Sequence, residues 1–151
     1  MSVISIYGNS SRNGRMPDSS QALGISGEGT LKVLVADDED IARRTLAIML
    51  ESSGYIVIDA RDGVEAVQKA TRELPDVILM DIAMPIMDGF QAAERLRANP
   101  RTAAIPIVAC TGVSRPFDQE LFQAVISKPF TAEDVIAQVK AVVQQVSHSD
   151  R

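Results

Sequence analysis

Hydrophobic and polar residues follow two different periods along the chain from Leu31 onward, and each period predicts one kind of element. Short runs rich in β-branched residues are typical of strands buried on both faces, whereas apolar residues spaced three and four apart indicate amphipathic helices. Strands are predicted at residues 31–36, 55–60, 76–80, 105–111 and 124–127. Helices are predicted at residues 39–53, 63–74, 88–98 and 131–146.

Residues at the ends of these helices support the predicted boundaries. Asp62 and Thr131 are typical N-cap residues, because their side-chain oxygens can accept hydrogen bonds from N–H groups of the first turn. Gly54 and Pro75 are typical stop signals. Strands that alternate with helices predict right-handed crossovers and a single parallel sheet covered by helices on both faces.

Composition and charge narrow the functional classes. The 151 residues suffice for one domain with a substantial core, and 46% apolar with 23% charged residues is ordinary for a globular protein. The net charge of −5 offers no basic surface to nucleic acid or to an anionic membrane. No apolar run approaches the roughly 20 residues that span a bilayer, and no signal peptide is recognisable. The single cysteine, Cys110, cannot form an intramolecular disulfide, which suits a reducing compartment. Charge, hydropathy and cysteine content together lead us to expect a cytoplasmic protein without nucleic acid or membrane partners.

The pattern divides the chain into three parts. Residues 1–30 are rich in Ser, Gly and Asn and lack a helical or strand period, which predicts a flexible leader. Residues 31–146 contain every predicted element and are expected to form the folded domain. Residues 147–151 are expected to form a short tail, so no output domain is predicted after the last helix.

Polar side chains follow the predicted strands at the edge where parallel sheets bind ligands. Asp37 and Asp38 follow the first strand, and Asp81 follows the third. Thr111 ends the fourth strand, and Lys128 follows the fifth. Carboxylate oxygens suit Mg²⁺, which retains several waters and often coordinates phosphate. The hydroxyl and the ammonium could then bind phosphate oxygens, and Asp81 is placed to become an aspartyl-phosphate.

These motifs together resemble the receiver domain of two-component response regulators. The resemblance covers about residues 31–146 and rests on the segments ADDED, LMDIAMPIMDG, ACTG and SKPF. It implies a flavodoxin-like, doubly wound five-stranded parallel sheet with strand order 2-1-3-4-5. It also implies a signalling switch that accepts a phosphoryl group on Asp81 from a phosphohistidine, with self-catalysed transfer and dephosphorylation but no separate substrate.

The resemblance also implies the roles of individual residues. Asp38 would bind Mg²⁺ directly and Asp37 mainly through water, while Asp81 and the backbone carbonyl of Ala83 would complete the protein ligands. Thr111 and Lys128 would contact the phosphoryl group. The peptide bond between Lys128 and Pro129 is expected to be cis.

Each of these residues also has a simpler interpretation. Taken singly, the acids could be helix N-terminal charges, the MDG segment a helix cap, and Lys128 a solvated strand end. A dehalogenase-type phosphatase also forms an aspartyl-phosphate, but it needs a second acid where Ala83 stands. A phosphorylation-independent interaction adaptor with a receiver fold is the remaining alternative.

Partner binding is expected beside the acidic residues. Ile41 and Thr45 lie about 100° from the core-facing stripe of the first helix. In receivers this helix faces the histidine kinase or histidine phosphotransfer domain, so docking is predicted near Ile41, Thr45 and Pro129. A downstream protein target would receive the signal.

Two features depart from the family pattern. Only 17 positions separate Thr111 from Lys128, so the fourth helix of the family is expected to be short or disordered. Val125 stands where receivers usually carry a switch aromatic, which Phe117 or Phe122 could replace. The segment 112–123 is therefore hypothesised to be the element that tightens on phosphorylation.

Overall fold

The computed structural model describes residues 30–112 and 117–149. The predicted leader, except for its last residue, and residues 113–116 of the hypothesised responsive segment lie outside these ranges. Among the described residues, no helix is long and apolar enough to cross a bilayer.

Every predicted strand and helix is present. The strands are β1 (Lys32–Ala36), β2 (Ile56–Ala60), β3 (Val77–Asp81), β4 (Ile107–Thr111) and β5 (Ala124–Ser127). The helices are α1 (Asp40–Ser52), α2 (Gly63–Glu73), α3 (Gly89–Ala98) and α4 (Ala132–Ser149). Most boundaries differ from the predicted ones by one or two residues, while α4 continues three residues into the segment expected to be a tail.

The five strands form one parallel sheet in the order β2-β1-β3-β4-β5. Val33 of β1 is paired with Val57 of β2 on one side and with Val77 of β3 on the other. The sheet therefore extends from β1 in both directions, which makes the edge beside β1 a topological switch point. Ligands bind at such a switch point in open parallel sheets, beyond the carboxyl ends of the strands. The predicted strand order is confirmed.

Alternate residues of the strands build two separate cores. Leu34 of β1 packs in the cluster that includes Ala66 of α2 and Leu96 of α3. Its neighbour Val33 points to the opposite face, where the cluster includes residues of α1 and α4 such as Leu46 and Val139. The side-chain period of two along a strand produces this division, and it confirms the helices on both faces.

The described residues between β4 and β5 form a turn rather than a helix. The backbone N–H groups of Leu121 and Phe122 both donate to the carbonyl oxygen of Asp118, at 3.1 Å each. No helix occurs over residues 117–123. The chain therefore crosses from β4 to β5 without a described counterpart of the family's fourth helix, in line with the short Thr111–Lys128 spacing.

Arg97 near the end of α3 holds this turn against the domain. One terminal nitrogen, Nη1, donates to the carbonyl oxygens of Ala103 at 2.9 Å and Ile105 at 2.6 Å. The other, Nη2, donates to the carbonyl oxygen of Leu121 at 2.8 Å and to Oε1 of Gln123 at 2.9 Å. A planar guanidinium can satisfy several carbonyls at once, so one side chain anchors two loops.

Three phenylalanine rings, which we call the phenylalanine cluster, also pack the same turn against α3. Phe117 is stacked on Phe90 of α3, with ring centroids 5.6 Å apart. Phe122 meets both rings edge-on, at 5.6 Å from Phe90 and 5.5 Å from Phe117. Offset-stacked and edge-to-face pairs are the favourable arrangements of aromatic rings.

Candidate functional site

The carboxyl ends of four neighbouring strands bring the predicted site residues to one edge of the sheet. Asp37 directly follows β1, Asp81 ends β3, Thr111 ends β4, and Lys128 directly follows β5. The register aligns them, because Asp81 pairs with Cys110, the residue before Thr111. Residues that lie 17 to 91 positions apart therefore become neighbours through strand order alone.

Three of these residues form a compact acidic cluster. Carboxylate oxygens of Asp37, Asp38 and Asp81 all lie within 4.8 Å of one another. Asp37 and Asp81 are buried, at 5% and 8% exposure, whereas Asp38 is exposed. Oxygen ligands at this spacing with one open side fit a small divalent cation that keeps part of its water shell.

Lys128 is the cation closest to the cluster among the described salt bridges. Its Nζ atom lies 3.4 Å from Oδ1 of Asp81 and 3.5 Å from Oδ2 of Asp37. Partial burial of the ammonium opposes its charge, but attraction to Asp81 and Asp37 outweighs this effect and raises the pKa of Lys128. The lysine is thus fully charged and spans the two buried carboxylates.

Burial is the main reason that the pKa of Asp81 is raised above its ordinary value. Lys128 opposes the shift, while the negative charges of Asp37 and Asp38 add to it. A bound divalent cation would reverse this balance by favouring the ionised carboxylate. Even with Lys128 in place, the three carboxylates of the cluster therefore carry more negative charge than the single ammonium neutralises.

Thr111 and Ala83 lie on the side of the cluster that faces α3. Thr111 is buried at the end of β4, and Ala83 is exposed two residues after Asp81. Both line a cavity of about 410 Å³, together with Ile82, Met84, Asp88, Phe90 and Phe117. The phenylalanine cluster therefore borders the same space as the predicted phosphoryl-binding hydroxyl.

The MDG segment positions Asp81 through its glycine. The N–H of Gly89 donates to the carbonyl oxygen of Ile82 at 2.9 Å. A Cβ atom at Gly89 would lie 2.6 Å from the carbonyl oxygen of Asp81, so only glycine allows α3 to start this close to β3. Asp88 caps the helix by accepting from the N–H of Gln91 at 2.9 Å, which confirms its reading as a helix cap.

A groove opens beside the acidic cluster, between α1 and the segment that follows β5. It has a volume of about 500 Å³ and is lined by Glu39, Ala42, Thr45, Leu46, Met49, Lys128, Pro129 and Phe130. Of the predicted docking residues, Thr45 and Pro129 line this groove, whereas Ile41 is not among its lining residues and is 82% exposed. The Lys128–Pro129 peptide bond is cis, as the resemblance implied.

Sequence reasoning missed Arg43, which is buried directly behind the acidic cluster. Its side chain is 8% exposed, and its Nη1 atom donates to the carbonyl oxygen of Asp37 at 3.0 Å. A signal was present in the pattern, because Arg43 precedes Leu46 and Leu50 on the core-facing stripe of α1. A charged residue on such a stripe needs buried partners.

Comparisons with known proteins show which family the chain resembles. The chain matches the response regulator receiver domain family over residues 33–140. PilH of Pseudomonas aeruginosa is 33% identical over 117 residues, which cover 74% of this chain and 97% of PilH. The alkaline phosphatase synthesis transcriptional regulatory protein PhoP of Bacillus subtilis is 38% identical over 119 residues, which cover 76% of this chain and 49% of PhoP. The chain thus spans about half the length of the first curated relatives that it matches.

Solved structures show the same fold. The chemotaxis protein CheY4 of Vibrio cholerae has a TM-score of 0.71 and 30% identity, covering 76% of this chain and 99% of CheY4. The receiver domain of a sensor histidine kinase from Pseudomonas aeruginosa has a TM-score of 0.71 and 28% identity, covering 77% of this chain and 99% of that domain. That structure has a magnesium ion coordinated in its active site cleft.

The sheet order and the acids at its carboxyl edge define a receiver protein of two-component signalling. The chain belongs to the response regulator receiver domain family.

Proposed function

We propose that this protein is a phosphoacceptor switch in which Asp81 takes a phosphoryl group from a phosphohistidine of a histidine kinase or histidine phosphotransfer domain. Mg²⁺ would be held by Asp38, Asp81 and the backbone carbonyl of Ala83, with Asp37 acting mainly through water. One observation carries the proposal: the three clustered carboxylates lie within 4.8 Å of one another, with the Lys128 ammonium 3.4 Å from Asp81.

The chain's own residues account for most of the chemistry. A carboxylate oxygen of Asp81 forms the new O–P bond as the N–P bond of the phosphohistidine breaks, and the departing histidine nitrogen keeps the electron pair. Lys128 stabilises negative charge on the transferred oxygens, and the Thr111 hydroxyl donates to one of them. Bound Mg²⁺ would neutralise the rest of the negative charge on the phosphoryl oxygens. The protein acts on no separate substrate.

The groove beside α1 supports a docking site for the phosphohistidine partner. It borders Lys128, which contacts Asp81, so a helix bound there would bring its histidine near the acceptor. Thr45 and Pro129 line the groove, and Ile41 extends the surface beyond it. An amphipathic helix is the kind of partner that such a groove accommodates.

The turn between β4 and β5 supports a mechanism for signal output. The phenylalanine cluster connects this turn to α3 and borders the cavity that Thr111 lines. Phosphorylation adds about two negative charges and three acceptor oxygens at Asp81, and a shift of Thr111 toward them would alter the packing of Phe117. Val125, at the usual switch position, is exposed and has no ring to respond. The altered surface would then bind a downstream protein target.

Intact-mass measurement after incubation with acetyl phosphate tests the proposal. A single phosphoryl adduct is expected on the wild type in the presence of Mg²⁺, and none is expected without Mg²⁺ or on the Asp81→Asn variant. No adduct on the wild type, either with acetyl phosphate or with a phosphorylated histidine kinase, would overturn the phosphoacceptor function. Partner binding that Asp81→Asn leaves unchanged would instead favour the phosphorylation-independent adaptor.

A further inference from the structure

We propose that Arg43 is a positioning residue for the metal site, because it orients the Asp37–Asp38 backbone and withholds two nearby acids from the cation. The inference rests on the proposed Mg²⁺-dependent function. Arg43 is 6% exposed on α1, although arginine is almost never fully buried unless its charge is paired.

Each nitrogen of the Arg43 guanidinium has a different partner. Nη1 donates to the carbonyl oxygen of Asp37 at 3.0 Å, Nη2 to Oδ1 of Asp40 at 2.7 Å, and Nε to Oδ2 of Asp59 at 3.1 Å. These partners come from the end of β1, the start of α1 and the end of β2. One side chain therefore joins three segments that converge beside the acidic cluster.

Arg43 completes the immobilisation of Asp37. The N–H of Asp37 donates to the carbonyl oxygen of Ala60 at 3.1 Å, and its Oδ1 atom accepts from the N–H of Glu39 at 2.9 Å. The Arg43 bond to the carbonyl oxygen fixes the peptide unit that joins Asp37 to Asp38. Because Asp38 is exposed and its carboxylate has no hydrogen bond to another side chain of the described residues, the direction of that carboxylate depends on this peptide unit.

The same guanidinium also binds two neighbouring acids that are not part of the acidic cluster. Asp40 and Asp59 are each paired with Arg43, and neither belongs to the acidic cluster of Asp37, Asp38 and Asp81. A lysine could not replace these contacts, because a single ammonium lacks the planar arrangement of N–H donors with which a guanidinium reaches three separate partners. Arg43 thus holds Asp40, and shares Asp59 with Lys69 at 3.9 Å, so that neither acid is directed at the cation site.

A measurement of Mg²⁺ affinity distinguishes a positioning role of Arg43 from a purely electrostatic or a purely structural role. Loss of a positive charge next to three carboxylates would by itself strengthen cation binding. Loss of orientation weakens it, and residues that orient metal ligands typically contribute about 10- to 100-fold in affinity. A purely structural role would reduce stability and leave the affinity unchanged. The three possibilities therefore differ in the direction of one measured quantity.

The test uses the full chain, with MgCl₂ titrated by calorimetry and stability measured by urea unfolding without Mg²⁺. Arg97→Gln is the matched control, because Arg97 also binds several carbonyl oxygens but none near the acids. We expect Arg43→Gln to weaken Mg²⁺ binding about tenfold or more and Arg43→Lys to restore it only in part. Arg97→Gln is expected to lose stability while keeping its affinity within about twofold of the wild type.

Two outcomes would overturn the inference: an Arg43→Gln variant that binds Mg²⁺ as tightly as the wild type, or one that binds it more tightly. If Arg43→Gln fails to fold, Arg43→Lys decides the question in the same way, with full wild-type affinity counting against positioning. A wild type that shows no Mg²⁺ binding would instead overturn the proposed function.

Discussion

The Nζ atom of Lys128 lies 3.4 Å from Oδ1 of Asp81, and each residue changes the proton affinity of the other. Burial raises the pKa of Asp81 and Lys128 holds that rise in check, while the attraction of Asp81 and Asp37 raises the pKa of Lys128 despite its burial. The protonation of Asp81 at the end of β3 therefore depends on a lysine that follows β5.

Lys128→Ala is expected to slow labelling by acetyl phosphate about tenfold or more at neutral pH, because the variant lacks the cation that faces the transferred oxygens. Without Mg²⁺, Lys128 also holds down the raised pKa of Asp81, so that pKa should rise further in Lys128→Ala. Labelling rates from mass spectrometry check the first effect, and NMR titration of the Asp81 carboxyl without Mg²⁺ checks the second, with Lys140→Ala on the exposed side of α4 as the control. An Asp81 pKa that is the same in Lys128→Ala and in the wild type would contradict the assigned coupling.

Asp81→Asn is expected to stabilise the domain at pH 7 in the absence of Mg²⁺. A group whose pKa is raised by folding contributes stability below its unfolded pKa, and that contribution is lost as pH rises through the folded pKa. The ionised Asp81 is therefore unfavourable at neutral pH, and its removal should increase the free energy of unfolding. The gain should shrink toward pH 4. Urea unfolding at both pH values checks this, with the exposed Glu94→Gln as control; a less stable Asp81→Asn variant at pH 7 would refute it.

Thr45→Arg is expected to obstruct the groove beside α1 without changing the acidic cluster. Transfer from a phosphorylated histidine kinase that labels the wild type should fall about tenfold or more, whereas labelling by acetyl phosphate should be unchanged. Gln68→Arg, which adds the same side chain to the exposed side of α2, serves as the control. Equal loss with both donors would show that the substitution disturbs the acceptor site rather than docking.

Gly89→Ala is expected to destabilise the domain by about 2 kcal/mol, because its Cβ atom would lie 2.6 Å from the carbonyl oxygen of Asp81. Relief of this clash must move α3 or the end of β3, so phosphorylation at Asp81 should slow as well. Thermal unfolding and acetyl phosphate labelling measure the two effects. Glu94→Ala, at an exposed position of the same helix, should change the free energy of unfolding by less than about 0.5 kcal/mol.

Beryllofluoride, which mimics an aspartyl-phosphate, is expected to change hydrogen exchange in the turn between β4 and β5. The amides of Leu121 and Phe122 are bonded to the Asp118 carbonyl oxygen, and slower exchange there would show that the turn tightens. Phe117→Ala removes a ring of the phenylalanine cluster and should abolish the change. Identical exchange with and without beryllofluoride would refute the hypothesis that this segment responds to phosphorylation.

Local sequence patterns were enough to predict the sheet, the four helices and the strand ends that carry Asp37, Asp81, Thr111 and Lys128. Strands of this sheet are buried on both faces, so each appears as a short apolar run whose end is easily recognised. Parallel strands present all of their carboxyl ends on one edge, and the site therefore follows from strand order without knowledge of any long-range contact. The resemblance to receivers supplied the strand order itself.

The conformation of the β4–β5 turn and the role of Arg43 could not be predicted in the same way. The turn is held by Arg97, whose partner Leu121 is 24 residues away in sequence, and by the stacking of Phe117 on a ring of α3. Arg43 of α1 is bonded to Asp59 of β2, and no pattern in the sequence connects these two residues.

By itself, the sequence determined which residues form strands and helices and which polar side chains stand where strands end, because these properties depend on neighbours along the chain. Only the tertiary structure decided which carboxylates Lys128 pairs with, which acids Arg43 holds away from the cation site, and which groove lies beside Lys128. Hydrogen-bond direction and burial depend on segments that meet only after folding, and both act over distances of a few ångströms.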